Sequence, residues 1–155
     1  MQKVKLIQLL IIILAALQPL IFISAEGYRV SLSTYWMTSF QPMFIITNAA
    51  ISYHFFHIKG WKLSALLLLF LTAFSVEKYF IVHNILAIFF FLSCYISLLT
   101  CKRLKSYHFL YLISILFLTH SILLAEISAI TILCIYHGHL MLLSHTLSNR
   151  SEQSR

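Results

Sequence analysis

The sequence contains little charge and no aspartate. Of its 155 residues, 10% are charged and 61% are apolar, and all four acids are glutamates. So few polar side chains cannot cover the surface of a soluble globule of this size. The sequence also has no P-loop and no GxSxG motif. Aspartate-dependent phosphoryl transfer and carboxylate-rich ion pumping are therefore disfavoured.

Cysteine is also sparse. The three cysteines, Cys94, Cys101 and Cys134, include no CxxC pair, which disfavours redox cysteine chemistry and a disulfide framework. Cys94 and Cys134 fall inside apolar stretches, where thiols pack as small apolar groups. Cys101 precedes Lys102 at the end of such a stretch. We expect a free thiol there, with S-palmitoylation as the alternative.

The sequence is instead rich in long apolar stretches. Polar breaks divide it into about six of them, each about 14 to 21 residues long, close to the roughly 20 that a helix needs to cross hydrocarbon. The last two are separated only by Glu126, and we predict a tight hairpin there, because one helix of about 39 residues would be about 58 Å long. The six stretches are 6–25, 37–57, 63–76, 80–100, 109–125 and 127–147.

Positive charges lie in alternate gaps between these stretches. Nine of the eleven Lys and Arg residues fall at the N-terminus, in the second and fourth gaps, or in the C-terminal tail. Loops rich in Lys and Arg stay on the cytoplasmic side of a membrane. The sequence therefore predicts an all-α, polytopic transmembrane bundle of about six helices with both termini cytoplasmic. We expect one transmembrane domain at 1–147 and a disordered cytoplasmic tail at 148–155.

The histidines are candidates for a site, because ionisable groups are costly inside hydrocarbon. His137 and His139 lie deep in the last stretch. Since they are two residues apart on a helix, they point about 200° from each other and cannot chelate one ion. Haem held between two helices is an alternative for one of them, but no second histidine is clearly at matching depth. Four others lie near cytoplasmic ends and are expected to be interfacial: His54, His57, His108 and His145.

Two histidines have acids at matching distances. His83 lies six residues after Glu77, and His120 lies six residues before Glu126. Both histidines would then be about 9 Å from the outer turns by helical rise. Because the fourth and fifth stretches are consecutive, we predict that these groups form an outward-facing polar pocket, with serines of the first outer loop as its lid. The candidate residues are Glu77, His83, Asn84, His120, Glu126, Ser31 and Ser33.

The same pocket has a second interpretation. His83, His120 and Glu77 are adequate zinc ligands and would leave an open position for water. Zinc would make the protein a membrane lipid hydrolase, distantly similar to the alkaline ceramidases. A hydrogen-bonded histidine pair that needs no cofactor is the competing interpretation, and a purely structural membrane subunit is another.

The segment 75–87, SVEKYFIVHNILA, resembles the entry of the fourth span in one family. This is the damage-regulated autophagy modulator family, also called the Frag-type family, which includes the GPI-anchor lipid-remodelling factor. The first outer loop, with VSLST and then Gln41-Pro42, is similar to the family's serine-containing loop. The resemblance implies six spans, cytoplasmic termini, and a role in lipid and membrane homeostasis in which catalysis is not general. It singles out Ser31, Ser33, Glu77, His83 and Asn84.

These patterns lead to one expectation about function. We expect an integral, multi-pass membrane protein whose pocket handles a lipid or a membrane partner without catalysis. The expected partners are membrane lipids, with another membrane protein as the alternative. The net charge of +7 does not indicate nucleic acid, because the charges lie singly or in threes beside span ends, where they meet anionic lipid head groups.

Overall fold

The computed structural model describes residues 2–100, 104 and 106–153, with side chains for 6–100, 104 and 106–143. This part of the chain is helical and contains no strand. Two of its connections contain a short 3₁₀ helix: the loop helix, Leu32–Met37, and the turn helix, Phe117–Thr119. The α-helices are α1 Gln2–Glu26, α2 Gln41–Phe56, α3 Lys62–Ala73, α4 Phe80–Thr100, α5 Ser106–Leu116 and α6 Ile122–Gln153. The predictions for Cys101 and Lys102 lie outside the described residues.

The α-helices pack in a ring. Each helix contacts the next one along the chain, and α6 returns to contact α1. The loop helix lies at the end of the ring where α6 begins, since the Leu123 N–H donates to the Val30 carbonyl at 3.1 Å. We call this end of the bundle the outer end. The opposite end, which contains the turn between α2 and α3, is the inner end. The two names follow the orientation that the charges predict.

Three helices are long and apolar enough to cross a membrane. These segments are Leu6–Glu26, Phe80–Thr100 and Ile122–Leu143, and 33% of the most apolar part of each is buried. Each of them also has exposed apolar side chains, such as Leu10, Ile88 and Ile135, as expected of a helix that contacts lipid. The fold is therefore that of a helical bundle that fits a membrane protein. The other helices are shorter than a full span, so the six-span count and the cytoplasmic termini stay predictions.

The first four predicted stretches overlap α1 to α4, although 37–57 begins in the loop helix and 63–76 extends past the end of α3. At the other end of the chain, α6 continues to Gln153, into the tail 148–155 that was expected to be disordered. The stretch 80–100 coincides with α4. The hairpin predicted at Glu126 is wrong, because α6 already begins at Ile122 and the turn lies at His120 and Ser121. Ser121 suits the start of a helix, since its hydroxyl accepts a hydrogen bond from the Leu124 N–H at 3.4 Å. Glu126 is instead inside α6, where its carboxylate accepts a hydrogen bond from the backbone N–H of Leu32 rather than from water.

Small polar residues allow α3 and α4 to pack closely at the inner end. The Ser93 hydroxyl lies 2.9 Å from that of Ser64, and the Ser97 hydroxyl donates to the Gly60 carbonyl at 2.8 Å. Gly60 has a φ of +89°, a conformation that favours glycine, and it forms the tight turn into α3. Small hydroxyl residues at helix contacts are typical of membrane bundles, where close packing replaces the hydrophobic effect.

This packing predicts that Ser93→Leu destabilises the bundle. Ser93 is buried, so the larger side chain must displace α3, and overpacking of this kind costs about 1–3 kcal/mol. Ser24→Leu is the matched control, because Ser24 is exposed on α1. Thermal unfolding in detergent measures the difference. Equal melting temperatures for the two variants would contradict the close α3–α4 contact.

Candidate functional site

The loop helix is fixed in place by Tyr35. This side chain is fully buried, packs on Phe22 with ring centroids 5.1 Å apart, and donates its hydroxyl hydrogen to the Gly27 carbonyl at 2.6 Å. Burial raises the pKa of Tyr35, although the nearby Arg29 acts in the opposite direction. The phenol therefore stays protonated and keeps this hydrogen bond. Gly27, with a φ of +77°, ends α1 and turns the chain toward the loop helix.

The loop helix joins two helices through polar contacts. The Leu32 N–H donates to the Glu126 carboxylate of α6 at 2.6 Å. Next to it, the Ser33 hydroxyl lies 2.8 Å from Nε2 of His83 on α4. Three residues predicted for the pocket, Ser33, His83 and Glu126, are thus brought together at the outer end, with the serine in the predicted first loop.

The hydrogen bonds of His83 determine which nitrogen carries hydrogen. Nδ1 lies 2.6 Å from the Phe74 carbonyl, which can only accept, so Nδ1 donates. In the neutral ring Nε2 then accepts from the Ser33 hydroxyl. His83 is 4% exposed and uses both nitrogens in these bonds. Its role in the structure is to hold the loop helix and the end of α3 against α4.

A pocket opens beside these contacts, and polar side chains from four segments converge on it. They are Gln18 of α1, Ser33 of the loop helix, Asn48 of α2 and Glu126 of α6. We call this cavity the outer pocket. Its remaining walls are almost entirely apolar: Leu32, Phe44, Leu68, Leu71, Ala87, Phe90, Phe91 and Ile130. Neither Gln18 nor Asn48 was predicted, although amides inside apolar stretches are a sequence signal for such a site.

Four of the predicted residues lie elsewhere. Glu77 and His120 are exposed in the connections between helices, and Asn84 is half-buried in the first turn of α4. Ser31 precedes the loop helix, where its carbonyl accepts from the Thr34 hydroxyl at 2.6 Å. None of the four lines the outer pocket. The equal depth expected for His83 and His120 depended on a hairpin at Glu126, which the structure does not have.

The proposed zinc ligands are not grouped together. Among the side chains that the structure describes, no three from His, Cys, Asp and Glu lie close enough to hold a metal ion. His120 is exposed in its turn, while both nitrogens of His83 are engaged. The donor set of His83, His120 and Glu77 therefore does not fit zinc in this arrangement.

A second polar cluster was missed by the sequence analysis. His54 was expected to be interfacial, but it is 2% exposed, as is His137, and the two ring centroids are 5.0 Å apart. Trp61, in the turn after α2, packs on His137 and covers this end of the bundle. The opposite directions predicted for His137 and His139 are confirmed, since His139 is exposed and contacts the Tyr107 hydroxyl at 3.2 Å.

These histidines adjoin a second cavity. The inner cavity, as we call it, has a volume of about 60 Å³ and shares Gln18 and Asn48 with the outer pocket. The direct contact of the His54 and His137 rings leaves no space for a porphyrin between them, so the pair does not fit a haem site. The inner cavity is lined by Ile11, Ile12, Ala15, Gln18, Asn48, Ile51, His54, Phe55, Leu68, Phe90, Ile130, Leu133, Cys134 and His137.

Comparison with known proteins leaves the geometry as the basis for function. No family model, no curated protein and no solved structure matches the chain. The resemblance of 75–87 to the damage-regulated autophagy modulator family therefore stays a prediction. The residues that it singles out are divided by the structure, since Ser33 and His83 are bonded to each other while Glu77 is exposed.

Proposed function

We propose that the protein is a multi-pass membrane protein that binds a lipid at the outer pocket, through a head group rich in hydroxyl or amino groups. The observation that carries the proposal is the convergence of Gln18, Ser33, Asn48 and Glu126 on a cavity with otherwise apolar walls. A ligand that matches both surfaces has a polar end and an apolar body. Lipids have this chemistry and are present at high concentration around a membrane bundle.

The polar groups of the pocket favour a ligand that donates hydrogen bonds. Glu126 accepts the Leu32 N–H with Oε2, which leaves Oε1 available for a ligand. The carbonyl oxygens of the Gln18 and Asn48 amides can accept as well. Hydroxyl and ammonium groups satisfy such acceptors, and hydrogen bonds to a charged carboxylate are stronger than neutral ones. Phosphate oxygens, which only accept, can bond the NH2 groups of Gln18 and Asn48 but not the Glu126 carboxylate.

The contacts around the pocket support binding. His83 uses both ring nitrogens to hold the loop helix and α3, and Tyr35 anchors the same loop helix to the end of α1. A binding site needs side chains that are fixed before the ligand arrives, because ordering them afterwards costs affinity. We therefore assign His83 and Tyr35 a positioning role and the four cavity-lining polar side chains the ligand contacts.

The first test replaces the carboxylate. Glu126→Gln keeps the size and a carbonyl acceptor for Leu32 but replaces the free Oε1 acceptor with an amide NH2 group, so we expect retention of the lipid to fall by about tenfold, because a buried donor of the ligand left unpaired costs roughly 1–3 kcal/mol. Glu77→Gln, at an exposed glutamate, is the control. Native mass spectrometry of the full chain, purified in mild detergent, measures the bound lipid. An unchanged lipid complement in Glu126→Gln would contradict the proposal, and a co-purified membrane protein in its place would favour a protein partner.

A second test distinguishes lipid binding at the outer pocket from binding at the residues that the family resemblance singles out. Asn48→Leu places an apolar group in the pocket and should lower lipid occupancy, while Asn84→Leu, outside the pocket, should not. The same mass spectra compare the two variants, and thermal unfolding checks that both are folded. Loss of lipid in the Asn84 variant alone would place the site where the family resemblance puts it and exclude the outer pocket.

A further inference from the structure

The inner cavity contains buried polar atoms without partners. All four ring nitrogens of His54 and His137, and Nε2 of Gln18, are buried and make no hydrogen bond. A buried donor or acceptor that stays unpaired costs roughly 1–3 kcal/mol. Packing alone gives no reason for two imidazoles here, since apolar rings would fill the same space without that cost. This cost indicates that the imidazole nitrogens of His54 and His137 have a function.

The cavity has room for water beside the unpaired nitrogens, although most of its lining is apolar. At about 60 Å³ it is large enough for several water molecules, each of which needs roughly 10–15 Å³ on this scale. None of its lining residues is Lys, Arg, Asp or Glu. The titratable groups that face the pair are Cys134 on the cavity wall, Tyr136 beside His137, and His57 one turn along α2 from His54. An imidazolium ion here would meet no Lys or Arg within the cavity, although His57 would oppose it when that residue is itself charged.

Three aromatic rings pack against His137, one of them stacked and two at an edge-to-face angle. The ring centroids of Trp61, Phe55 and Tyr136 lie 4.4, 4.9 and 5.1 Å from that of His137. Aromatic faces attract a positive charge at this distance, and tryptophan does so most strongly. The adjacent His54 supplies a neutral ring nitrogen that can accept a hydrogen bond from an imidazolium. Two imidazoles can thus share one proton.

The inner cavity adjoins the outer pocket. Gln18, Asn48 and Ile130 line both. On α6 the residues Glu126, Ile130 and His137 follow one face, and Glu126 is about 16 Å from His137 by helical rise. Glu126 therefore lines one cavity and the histidine pair lines the other, and the Gln18 and Asn48 amides line both. Proton relays in membrane proteins are built from such chains of Glu and His.

From this arrangement we infer that the bundle carries protons between its two ends, with His54 and His137 as the inner proton-binding pair. A proton that leaves the Glu126 carboxyl passes through water beside Gln18 and Asn48. It forms an N–H bond at the pair, and that bond breaks when the proton leaves toward the inner end. Both imidazoles return to the neutral state and the Glu126 carboxylate takes up a new proton from the outer end, so the net change is the movement of one proton from the outer to the inner end. His57, exposed at the end of α2, offers the exit to water.

Proton movement is tested in liposomes that contain the full chain and an internal pH dye. With a potassium diffusion potential applied, vesicles with the wild-type protein should change their internal pH faster than protein-free vesicles. His137→Asn and His54→Asn should lower the rate to the protein-free level. The matched control is His139→Asn, two residues away on the exposed face of α6, which should conduct like the wild type. A wild-type rate no faster than that of empty vesicles, or equal rates for His137→Asn and His139→Asn, would overturn the inference.

A spectroscopic test does not depend on transport. The chain has two tryptophans, so Trp36→Phe leaves Trp61 as the only one, 4.4 Å from His137. Because an imidazolium quenches indole fluorescence, acidification should lower the emission of this variant. The quenching should disappear when His137→Asn is added and persist when His139→Asn is added. Quenching that is identical in all three proteins would show that the proton binds elsewhere.

Two further comparisons distinguish proton transport from lipid binding and from misfolding. Gln18→Leu retains both histidines but blocks the junction of the cavities, so it should reduce proton flux while the Trp61 titration remains. His54 and His137 do not line the outer pocket, so their Asn variants should keep the bound lipid. Retained lipid with lost flux supports the proton path. Full flux through Gln18→Leu would exclude it, whatever the outcome for lipid.

Discussion

The hydrogen bonds of the loop helix hold the outer half of the bundle together. The Leu32 N–H bonds Glu126 of α6, and the Ser33 hydroxyl bonds His83 of α4. A buried polar group that loses its hydrogen-bond partner costs roughly 1–3 kcal/mol. Each of these four groups therefore requires the other member of its pair. The position of the loop follows from this polar matching, and the shape of the outer pocket follows from the position of the loop.

The inner half follows a different rule. There the polar groups of Gln18, His54 and His137 are surrounded by aromatic and aliphatic side chains and have no protein partner. A polar group whose hydrogen bonds are all made gains nothing from a new partner. A polar group without a partner is stabilised by any small polar species that reaches it. The outer end is thus suited to hold a fixed shape for a ligand, and the inner end is suited to exchange water and protons.

The sequence predicted the features that depend on local pattern. Apolar length alone located α4, and helical geometry alone separated the directions of His137 and His139. The errors concern contacts between distant parts of the chain. Glu126 was assigned to a turn because it is the only polar break in an apolar run too long for one span, but its carboxylate is bonded by a backbone N–H 94 residues earlier, for which the sequence carries no signal. His54 was expected at the interface because it is near a helix end, but the turn that contains Trp61 covers it.

The two sites share one helix, and this has a consequence for how they act. Glu126 and His137 lie on the same face of α6, and each contacts a different segment, the loop helix at one end and α2 at the other. A movement of α6 as a rigid body would act on both contacts. If a ligand in the outer pocket and a proton on the histidine pair each bound one position of α6 more tightly, the two binding events would be coupled. Such coupling is reciprocal by thermodynamic necessity, so lipid occupancy and protonation would then regulate each other through α6.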